Sequence, residues 1–464
     1  MVEFSQPNTH KEIHVGHMRN LALGQSLAKL LKKIGHEVHS VTYPGDVGTH
    51  VAKCLWYLKN KASVSMEELS KKANRGEILG ELYTKAHQLL EEERGGEKEE
   101  KNRQELTFIL QEIAKGSGEY FDLWRETRQW SIQLMENLYS WSHVNFDYWY
   151  FESEMDVPSV ARIKKLYQEG KLTLSEGAIG MDLSEDKLGF CLLLKSDGNG
   201  LYSTKDVELA IHKFKQLNIE KSIYVVDVRQ SLHFSQVFKV LEKLGHPQGK
   251  KCFHLAYDFV ELPEGPMSSR KGNIIPINKL IDEMMNHIKE NYLIRYKDEW
   301  SQEEVKQTAH DIALGAIFFG MLRIDPQKKI VFDMKEWLKL DGESGPYLQY
   351  THARVCSMLQ KIGHKETREV QNKLLIHPAE KELLLKMSEL NEIIFTAATQ
   401  SRPSALCNYL YDLCKVFNHF YMECPLMKAE SEDLKEARAH LVFSFKEVLA
   451  HALNILGIPA VKRM

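Results

Sequence analysis

The chain has 464 residues, of which 43% are hydrophobic and 27% charged, as in an ordinary globular protein with room for two or three domains. Its net charge of -3 supplies no general attraction for nucleic acid, so an RNA partner would need local basic patches. Because no apolar run could span a membrane and no signal sequence opens the chain, we expect a cytoplasmic protein rather than a membrane or secreted one.

The first predicted elements are a strand, an extended loop and a helix. Residues 2–4 alternate like a strand, Pro7 keeps the loop extended, and apolar residues recur at helical spacing over residues 23–34. The first helical turn carries His14-Val15-Gly16-His17. Because free N–H groups at a helix start attract anions and imidazoles can donate to phosphate oxygens, the motif predicts nucleotide binding. The alternative is a pair of surface or capping histidines.

A second predicted strand covers residues 37–43 and is followed by the turn Gly45-Asp46-Val47-Gly48. Ligands collect at the carboxyl ends of strands in open parallel sheets, so Asp46 either faces a site or only shapes the turn. Residues 51–145 are then helical in pattern. The aromatic residues within 121–141 are expected to pack in the core rather than stack on RNA.

Strands and helices alternate again beyond residue 145. The apolar runs at residues 189–195 and 222–228 predict strands, and the second has the composition of a strand buried on both faces. Apolar residues at helical spacing within 207–214 and 234–244 predict two helices. The alternation predicts an α/β fold with a doubly wound, Rossmann-like parallel sheet. From about residue 275 the pattern is helical to the end, which predicts an all-α domain.

A second short motif lies far downstream and reads Pro266-Met267-Ser268-Ser269-Arg270-Lys271-Gly272. Together with His14-Val15-Gly16-His17 it resembles the paired His-Ile-Gly-His and Lys-Met-Ser-Lys-Ser signatures of class I aminoacyl-tRNA synthetases. Four further sequence motifs are more specific and occur in this order along the chain: residues 5–11, Gly45-Asp46-Val47-Gly48-Thr49, Tyr202-Ser203-Thr204-Lys205-Asp206 and Asp341-Gly342-Glu343-Ser344-Gly345-Pro346-Tyr347. Over nearly the whole chain they resemble the arginyl-tRNA synthetase family. The resemblance implies an arginine-tRNA ligase that uses ATP, forms an arginyl-adenylate and releases AMP and pyrophosphate.

The resemblance also implies a domain plan. A class I catalytic nucleotide-binding domain is expected over residues 1–275, with a helical insertion at about 51–145. A helical connecting region that contacts the tRNA stem would cover 276–330, and a helical anticodon-binding domain 331–464. Because the chain begins almost directly on the first catalytic strand, we expect a shortened or naturally variant form without the family's additional N-terminal domain, and weaker tRNA binding. The implied partners are tRNA(Arg), L-arginine and ATP, with no membrane, for a monomer.

For ATP, the resemblance assigns the catalytic roles to Lys11, His14 and His17. The nucleotide would be bound by His14, Gly16, His17, Met267, Ser268, Ser269, Arg270 and Lys271. Ser269 stands where the class usually has its second lysine, and in several arginyl enzymes a lysine ahead of the histidine motif, here Lys11, compensates. Magnesium is expected to accompany ATP. The seven cysteines include no C-x-x-C pair, so we expect no structural zinc.

Arginine recognition should need carboxylates, because a guanidinium is a planar, always charged fork. By position the resemblance assigns arginine binding to Asn8, Glu152, Tyr202, Asp206 and Gln230. Tyr202 and Asp206 are four residues apart where a strand enters a helix, so both can face one pocket. The alternative for Asp206 is a favourable negative charge in a first helical turn.

Several residues of the C-terminal region could contact the bases of an opened anticodon loop. They are Tyr347, Gln349, Arg354, Asn418 and Tyr421. Tyrosines at helical spacing are more often core residues, so this assignment competes with a packing role.

Two rival functions are open. A catalytically weak or inactive, truncated or paralogous form would bind tRNA or a partner without charging it, and the intact Lys11, His14, His17 and Asp206 argue against that reading. A small-molecule nucleotidyltransferase with the same histidine signature would leave the long helical C-terminal region unexplained.

Overall fold

The computed structural model describes residues 1–263, 265–266, 274–363 and 372–464. The strands are β1 (Val2–Glu3), β2 (Ser40–Thr42), β3 (Tyr148–Trp149), β4 (Thr173–Ser175), β5 (Ala178–Asp182), β6 (Phe190–Leu194), β7 (Ser222–Asp227), β8 (Cys252–Tyr257), β9 (Val260–Leu262), β10 (Gly265–Pro266) and β11 (Ile330–Val331). The helices of the first half are α1 (Val15–Lys33), α2 (Thr49–Asn60), α3 (Met66–Ser70), α4 (Arg75–Glu92), α5 (Glu99–Lys115), α6 (Glu119–Trp141), α7 (Glu152–Gln168), α8 (Tyr202–Leu217) and α9 (Ser231–Lys243). Those of the second half are α10 (Ile277–Asn291), α11 (Gln302–Leu322), α12 (Met334–Trp337), α13 (Gly345–Ile362), α14 (Pro378–Ser388), α15 (Leu390–Thr399), α16 (Ser404–Glu423) and α17 (Glu432–Ile455).

The chain divides into two compact units. The first comprises Met1–Asn20, His39–Asp258 and residues 274–276. The second comprises Leu21–Val38, residues 259–263 and 265–266, and Ile277–Met464. The predicted domain boundaries at about 275 and 330 stay predictions. No helix among the described residues is long and apolar enough to cross a membrane.

A five-stranded parallel sheet organises the first unit, with strand order β3-β2-β1-β7-β8. Val2 of the central strand lies opposite Ser40 on one side and Ile223 on the other. The strand order therefore reverses between β1 and β7. In open α/β sheets ligands bind in the crevice outside the carboxyl ends of the strands at such a switch point. The predicted doubly wound parallel sheet is confirmed.

One predicted strand lies in a different sheet. The apolar run at residues 189–195 contains β6, which pairs antiparallel with β5 in a separate three-stranded sheet with β4. Cys191, Leu193 and Leu194 of β6 are buried in a cluster with residues of α7, α8 and α9. Placing this run in the parallel sheet was wrong, because an apolar run shows burial but not the direction of the partner strand.

Five helices, α2 to α6, stand between β2 and β3. Their aromatic residues are interior: Trp56 and Trp124 share one apolar cluster, and Trp130 belongs to a neighbouring one. The expectation that the aromatic residues near 121–141 pack in the core is confirmed for Trp124 and Trp130.

The second unit is mostly helical. Gly345 at the start of α13 comes so close to α11 that a side chain there would collide with the Gly315 carbonyl group. Phe417 of α16 stacks on Phe445 of α17 with ring centroids 4.0 Å apart. The prediction that the C-terminal region is all-α is confirmed.

Candidate active site

The loop from β1 to α1 crosses the switch point of the sheet and is held there by Asn20. The Asn20 side-chain oxygen accepts a hydrogen bond from the Ser5 N–H group. The Nδ2 amide donates to the Val225 carbonyl of β7 at 2.7 Å and to Gln6 Oε1 at 3.2 Å. Buried amide groups bonded on all sides fix the backbone around them. The loop that carries the histidine motif is therefore anchored to β7 through Asn20.

His14 and His17 lie side by side at the start of α1, with ring centroids 4.0 Å apart. The Gly16 N–H donates to His14 Nδ1 at 3.2 Å, and the His14 N–H donates to His17 Nδ1 at 3.1 Å. A neutral imidazole carries one proton, and a nitrogen that accepts a hydrogen bond does not hold it. Each neutral ring therefore holds its proton on Nε2 and can donate that N–H to a ligand.

Both imidazoles are kept neutral. Burial and, to a smaller extent, the positive charge of Lys11 lower the pKa of His17 to about 4. Burial also lowers the pKa of His14 well below its usual value, with contributions from His17 and Lys11. Lys11 therefore lies close to both rings, and its ammonium group stands over the Tyr83 ring, 5.2 Å from the centroid. The start of α1 offers two uncharged N–H donors beside one cation, which suits the oxygens of a polyphosphate.

A second group of polar side chains surrounds Gly45, just after β2. Asn8 forms a backbone bridge to Gly45, and a side chain at Gly45 would collide with the Asn8 amide. The same side chain would come within 3.2 Å of Glu152 Oε2. Two of the residues predicted to bind arginine, from the ends of β1 and β3, are thereby brought together against one glycine.

Each predicted carboxylate of this recess has one partner from the chain. Lys205 Nζ lies 2.9 Å from Glu152 Oε1, and Glu152 is buried. Burial raises the pKa of Glu152, while Lys205 lowers it. Asp206 Oδ2 accepts a hydrogen bond from His233 Nε2 at 2.5 Å. The charge of Asp206 also raises the pKa of Glu152, and burial together with the charges of both carboxylates raises the pKa of Tyr202, so Glu152 and Asp206 lie in the same recess.

Tyr202 and Gln230 complete the predicted arginine site at its edge. Tyr202 is the first residue of α8, one turn before Asp206, and is 66% exposed. Gln230 lies in the short turn after β7, immediately before the helix that carries His233, and is exposed. An incoming ligand could cover both side chains.

The histidine pair and the acidic recess adjoin each other through His50. Its Nε2 lies 3.4 Å from the Gly45 carbonyl oxygen, and burial together with the charge of Lys11 lowers its pKa to about 3. The charge of Lys11 acts on His14, His17 and His50, and the His50 ring contacts the carbonyl of the glycine against which Asn8 and Glu152 lie. The two predicted halves of the site form one continuous region of the first unit.

Asp46 serves the turn rather than a ligand. Its carboxylate is buried and bonded to Arg128 Nε at 2.6 Å and to the Ser153 backbone and hydroxyl at 2.8 and 2.7 Å. The residue therefore ties the turn after β2 to α6 and α7. Of the two interpretations of Asp46, the structural one holds.

The residues predicted to contact RNA are divided by the structure. Asn418 donates a hydrogen bond to the Tyr347 hydroxyl at 2.8 Å, and the exposed Arg354 guanidinium lies 4.6 Å from the Tyr421 ring centroid. Gln349 is instead buried and donates to the Asp311 and Pro459 carbonyl groups at 2.8 and 2.9 Å. Gln349 is a core residue here, so its assignment to RNA was wrong; the other four stay predictions.

The predicted phosphate loop, with Met267, Ser268, Ser269, Arg270 and Lys271, lies outside the described residues. Three side chains that contact this region were not singled out from the sequence: Lys205, which is bonded to Glu152, His50, which contacts Gly45, and His233, which is bonded to Asp206. Lys205 belongs to the motif Tyr202-Ser203-Thr204-Lys205-Asp206, so the sequence could have indicated its role. His50 and His233 belong to no charged or periodic pattern.

Comparisons with known proteins bear on this site. A family profile described as "tRNA synthetases class I (R), catalytic domain" matches residues 1–334, and one described as "DALR anticodon binding domain" matches residues 348–464. With the parallel sheet and the histidine pair at its switch point, they define a class I aminoacyl-tRNA synthetase.

The chain is 54% identical to an arginine-tRNA ligase of Bdellovibrio bacteriovorus, over 100% of the chain and 79% of that protein. It is 34% identical to the corresponding ligase of Treponema denticola over the same shares. The solved arginyl-tRNA synthetase of Thermus thermophilus superposes with a TM-score of 0.86 at 27% identity, over 100% of this chain and 82% of that one. This chain belongs to the arginine-tRNA ligase family, and the resemblance read from its motifs is confirmed.

Proposed function

We propose that this chain ligates L-arginine to tRNA(Arg) with ATP at the site in its first unit, in two displacements. The observation that supports this most is the presence of two unlike groups in the first unit that are linked through His50. Lys11 and two neutral imidazoles form one group, and the carboxylates of Glu152 and Asp206 form the other. His50 contacts the carbonyl of Gly45, against which Glu152 lies, and burial together with the charge of Lys11 lowers the pKa of His50. One group suits a triphosphate and the other a guanidinium.

In the first step the arginine carboxylate attacks the α-phosphorus of ATP, the bond to pyrophosphate breaks, and arginyl-adenylate forms. Negative charge spreads over the phosphate oxygens in the transition state, so preorganised donors lower the barrier without any covalent nucleophile. The Nε2–H groups of His14 and His17 supply such donors, and Lys11 supplies positive charge. Glu152, Asp206, Asn8, Tyr202 and Gln230 hold the amino acid.

Magnesium would enter on the phosphate oxygens of ATP. Around the proposed triphosphate position the described donors are N–H groups and an ammonium group, which suit anionic oxygens rather than a metal cage. The carboxylates of the recess already have chain partners, Lys205 and His233. When bound, the ion would neutralise phosphate charge.

In the second step a 2'-hydroxyl of the terminal tRNA ribose attacks the aminoacyl carbonyl, and AMP leaves. The helical region matched to an anticodon-binding domain would bind the other end of the tRNA, with Tyr347, Arg354, Asn418 and Tyr421 as the proposed contacts. We propose that the chain acts in the cytoplasm, with the translation machinery, and as a monomer.

The direct test is ATP-pyrophosphate exchange and tRNA charging by the purified chain with each of the twenty amino acids, with and without tRNA(Arg). We expect exchange and charging with arginine. Exchange with a different amino acid and none with arginine would refute the substrate assignment, and tRNA retention without any charging would favour a binding function.

A further inference from the structure

Tyr43 stands beneath the recess that holds the two carboxylates. It directly follows β2, and its ring packs against an apolar cluster that contains Met155 of α7 and Leu209 of α8. Met155 is three residues after Glu152, and Leu209 is three residues after Asp206. Residues three apart lie on the same side of a helix, one turn from each other. Tyr43 therefore packs on an apolar cluster that includes residues one helical turn from both carboxylates.

The hydroxyl oxygen of Tyr43 is buried and has no hydrogen-bond partner among the residues that the structure describes. A buried hydroxyl without a partner is costly, so each instance in a native fold calls for an explanation. Burial, then the charges of Asp206 and Glu152, raise the pKa of Tyr43 well above its usual value. The hydroxyl therefore keeps its proton and faces an acidic surrounding.

The chemistry of the recess suits a group that both donates and accepts. A guanidinium has five N–H donors and no acceptor, whereas an ionised carboxylate only accepts. The chain occupies one oxygen of each carboxylate, Glu152 Oε1 with Lys205 and Asp206 Oδ2 with His233. A protonated hydroxyl at the edge of the recess can donate to a carboxylate oxygen and accept from the ligand at the same time.

We propose that Tyr43 is a further arginine-binding residue of this site, whose hydroxyl accepts an N–H of the substrate guanidinium while donating to the carboxylate of Asp206 or Glu152. The inference rests on the proposed arginine site around these two residues. It explains why a buried hydroxyl is left without a partner in the free protein. Arginine supplies that partner.

The neighbouring Tyr150 shows what an ordinary structural hydroxyl looks like in the same cluster. Its ring is buried beside Val41, Met155 and Leu209, and its hydroxyl donates to Gln216 Oε1 at 2.7 Å. The fold itself satisfies Tyr150, whereas the described part of the chain leaves Tyr43 unsatisfied. The two tyrosines are therefore a matched pair for experiment.

The test compares Tyr43→Phe with Tyr150→Phe in tRNA(Arg) charging at varied arginine, together with the melting temperature of each variant. Tyr43→Phe should raise the KM for arginine by about 10- to 100-fold, the effect of one lost hydrogen bond to a charged group, and leave the melting temperature unchanged or higher. Tyr150→Phe should lower the melting temperature and leave the KM within about 2-fold.

Asp206→Asn serves as the reference for the site itself. If it raises the KM for arginine while Tyr43→Phe does not, the inference about Tyr43 is overturned and the proposed site stands. If neither variant changes the KM, the arginine site is wrong as a whole. A lower melting temperature of Tyr43→Phe with an unchanged KM would assign Tyr43 a structural role and also overturn the inference.

Discussion

The two ends of the active site treat charge in opposite ways. At the start of α1, burial keeps His14 and His17 neutral, and their Nδ1 atoms accept backbone N–H groups. In the recess after β2, the carboxylates of Glu152 and Asp206 are each bonded to one side chain, Lys205 and His233 respectively. A triphosphate brings several negative charges and needs directed donors, whereas a guanidinium brings one positive charge and needs prepared carboxylates. In the proposed function, each end therefore suits the charge of its own substrate.

The largest expected effect comes from removing charge in the recess. Asp206→Asn keeps the size of the side chain but removes the negative charge and replaces one acceptor oxygen by an N–H donor. Removing one partner of a desolvated charge pair costs about 3 kcal/mol or more. We expect kcat/KM for arginine to fall by about 100- to 1,000-fold, mostly through KM.

Asp156→Asn is the matched control for this prediction, measured in the same charging assay. Asp156 contacts Lys205, the partner of Glu152, at 3.0 Å, but its side chain is 40% exposed. Its KM for arginine should stay within about 3-fold of the wild type. Equal effects of the two variants would contradict the special role of Asp206.

The next largest effect concerns His17 at the start of α1 and distinguishes its Nε2 atom from its Nδ1 atom. His17→Ala and His17→Asn should lower kcat by about 100-fold or more, because a donor to the developing phosphate charge is lost. His17→Gln should retain part of the rate, because its amide nitrogen lies near the Nε2 position. The KM for arginine should change little. More activity in His17→Asn than in His17→Gln would show that the proton was assigned to the wrong nitrogen.

A smaller effect concerns stability and pH. The pKa of His17 is about 4 in the fold and 6.5 by reference, so between these values the unfolded chain binds more protons. Stability is therefore lost as the pH falls through this window, and His17 accounts for about 2 kcal/mol between pH 7 and pH 5. Urea unfolding at both pH values should show that His17→Gln loses less stability than the wild type.

For that comparison His36→Gln, at an exposed histidine, is the control and should follow the wild type. If His17→Gln and His36→Gln lose as much stability as the unmodified protein, burial of a neutral His17 imidazole is refuted.

The smallest expected effect lies in the helical unit. Arg354→Ala should raise the KM for tRNA(Arg) by about 5-fold with little change in kcat, because one exposed cation beside the Tyr421 ring is lost. Lys435→Ala, at a lysine paired with Glu432 on α17, should leave the KM unchanged. Equal changes in both variants would indicate a general charge effect rather than a contact at Arg354.

Local features were predictable from the sequence and long-range pairings were not. The strand, loop and helix around His14 follow from periodicity and from a motif within a few residues. The pairs Lys205–Glu152 and His233–Asp206 join residues 53 and 27 positions apart, and no local pattern predicts such contacts. The turn of Asp46 was predictable, but its partner Arg128 is 82 positions away.

The error at Gln349 has a related cause. It lies beside Tyr347 and Tyr350 on α13, and helical spacing shows that these residues form faces without showing which face is interior. That depends on α11 and on the chain around Pro459, which receive the Gln349 hydrogen bonds. The strand β6 was assigned to the wrong sheet for a similar reason. The apolar sequence of a strand indicates that it is buried, but it does not identify the strand with which it pairs.

The most direct measurement of the central claim is one set of arginine saturation curves for tRNA(Arg) charging by the wild type, Asp206→Asn and His17→Gln. If one end binds arginine and the other acts on ATP, Asp206→Asn should mainly raise the KM for arginine and shift the curve to higher arginine concentration. His17→Gln should mainly lower kcat and therefore the plateau. Similar changes in both parameters for both variants, or the reverse assignment, would contradict the claim.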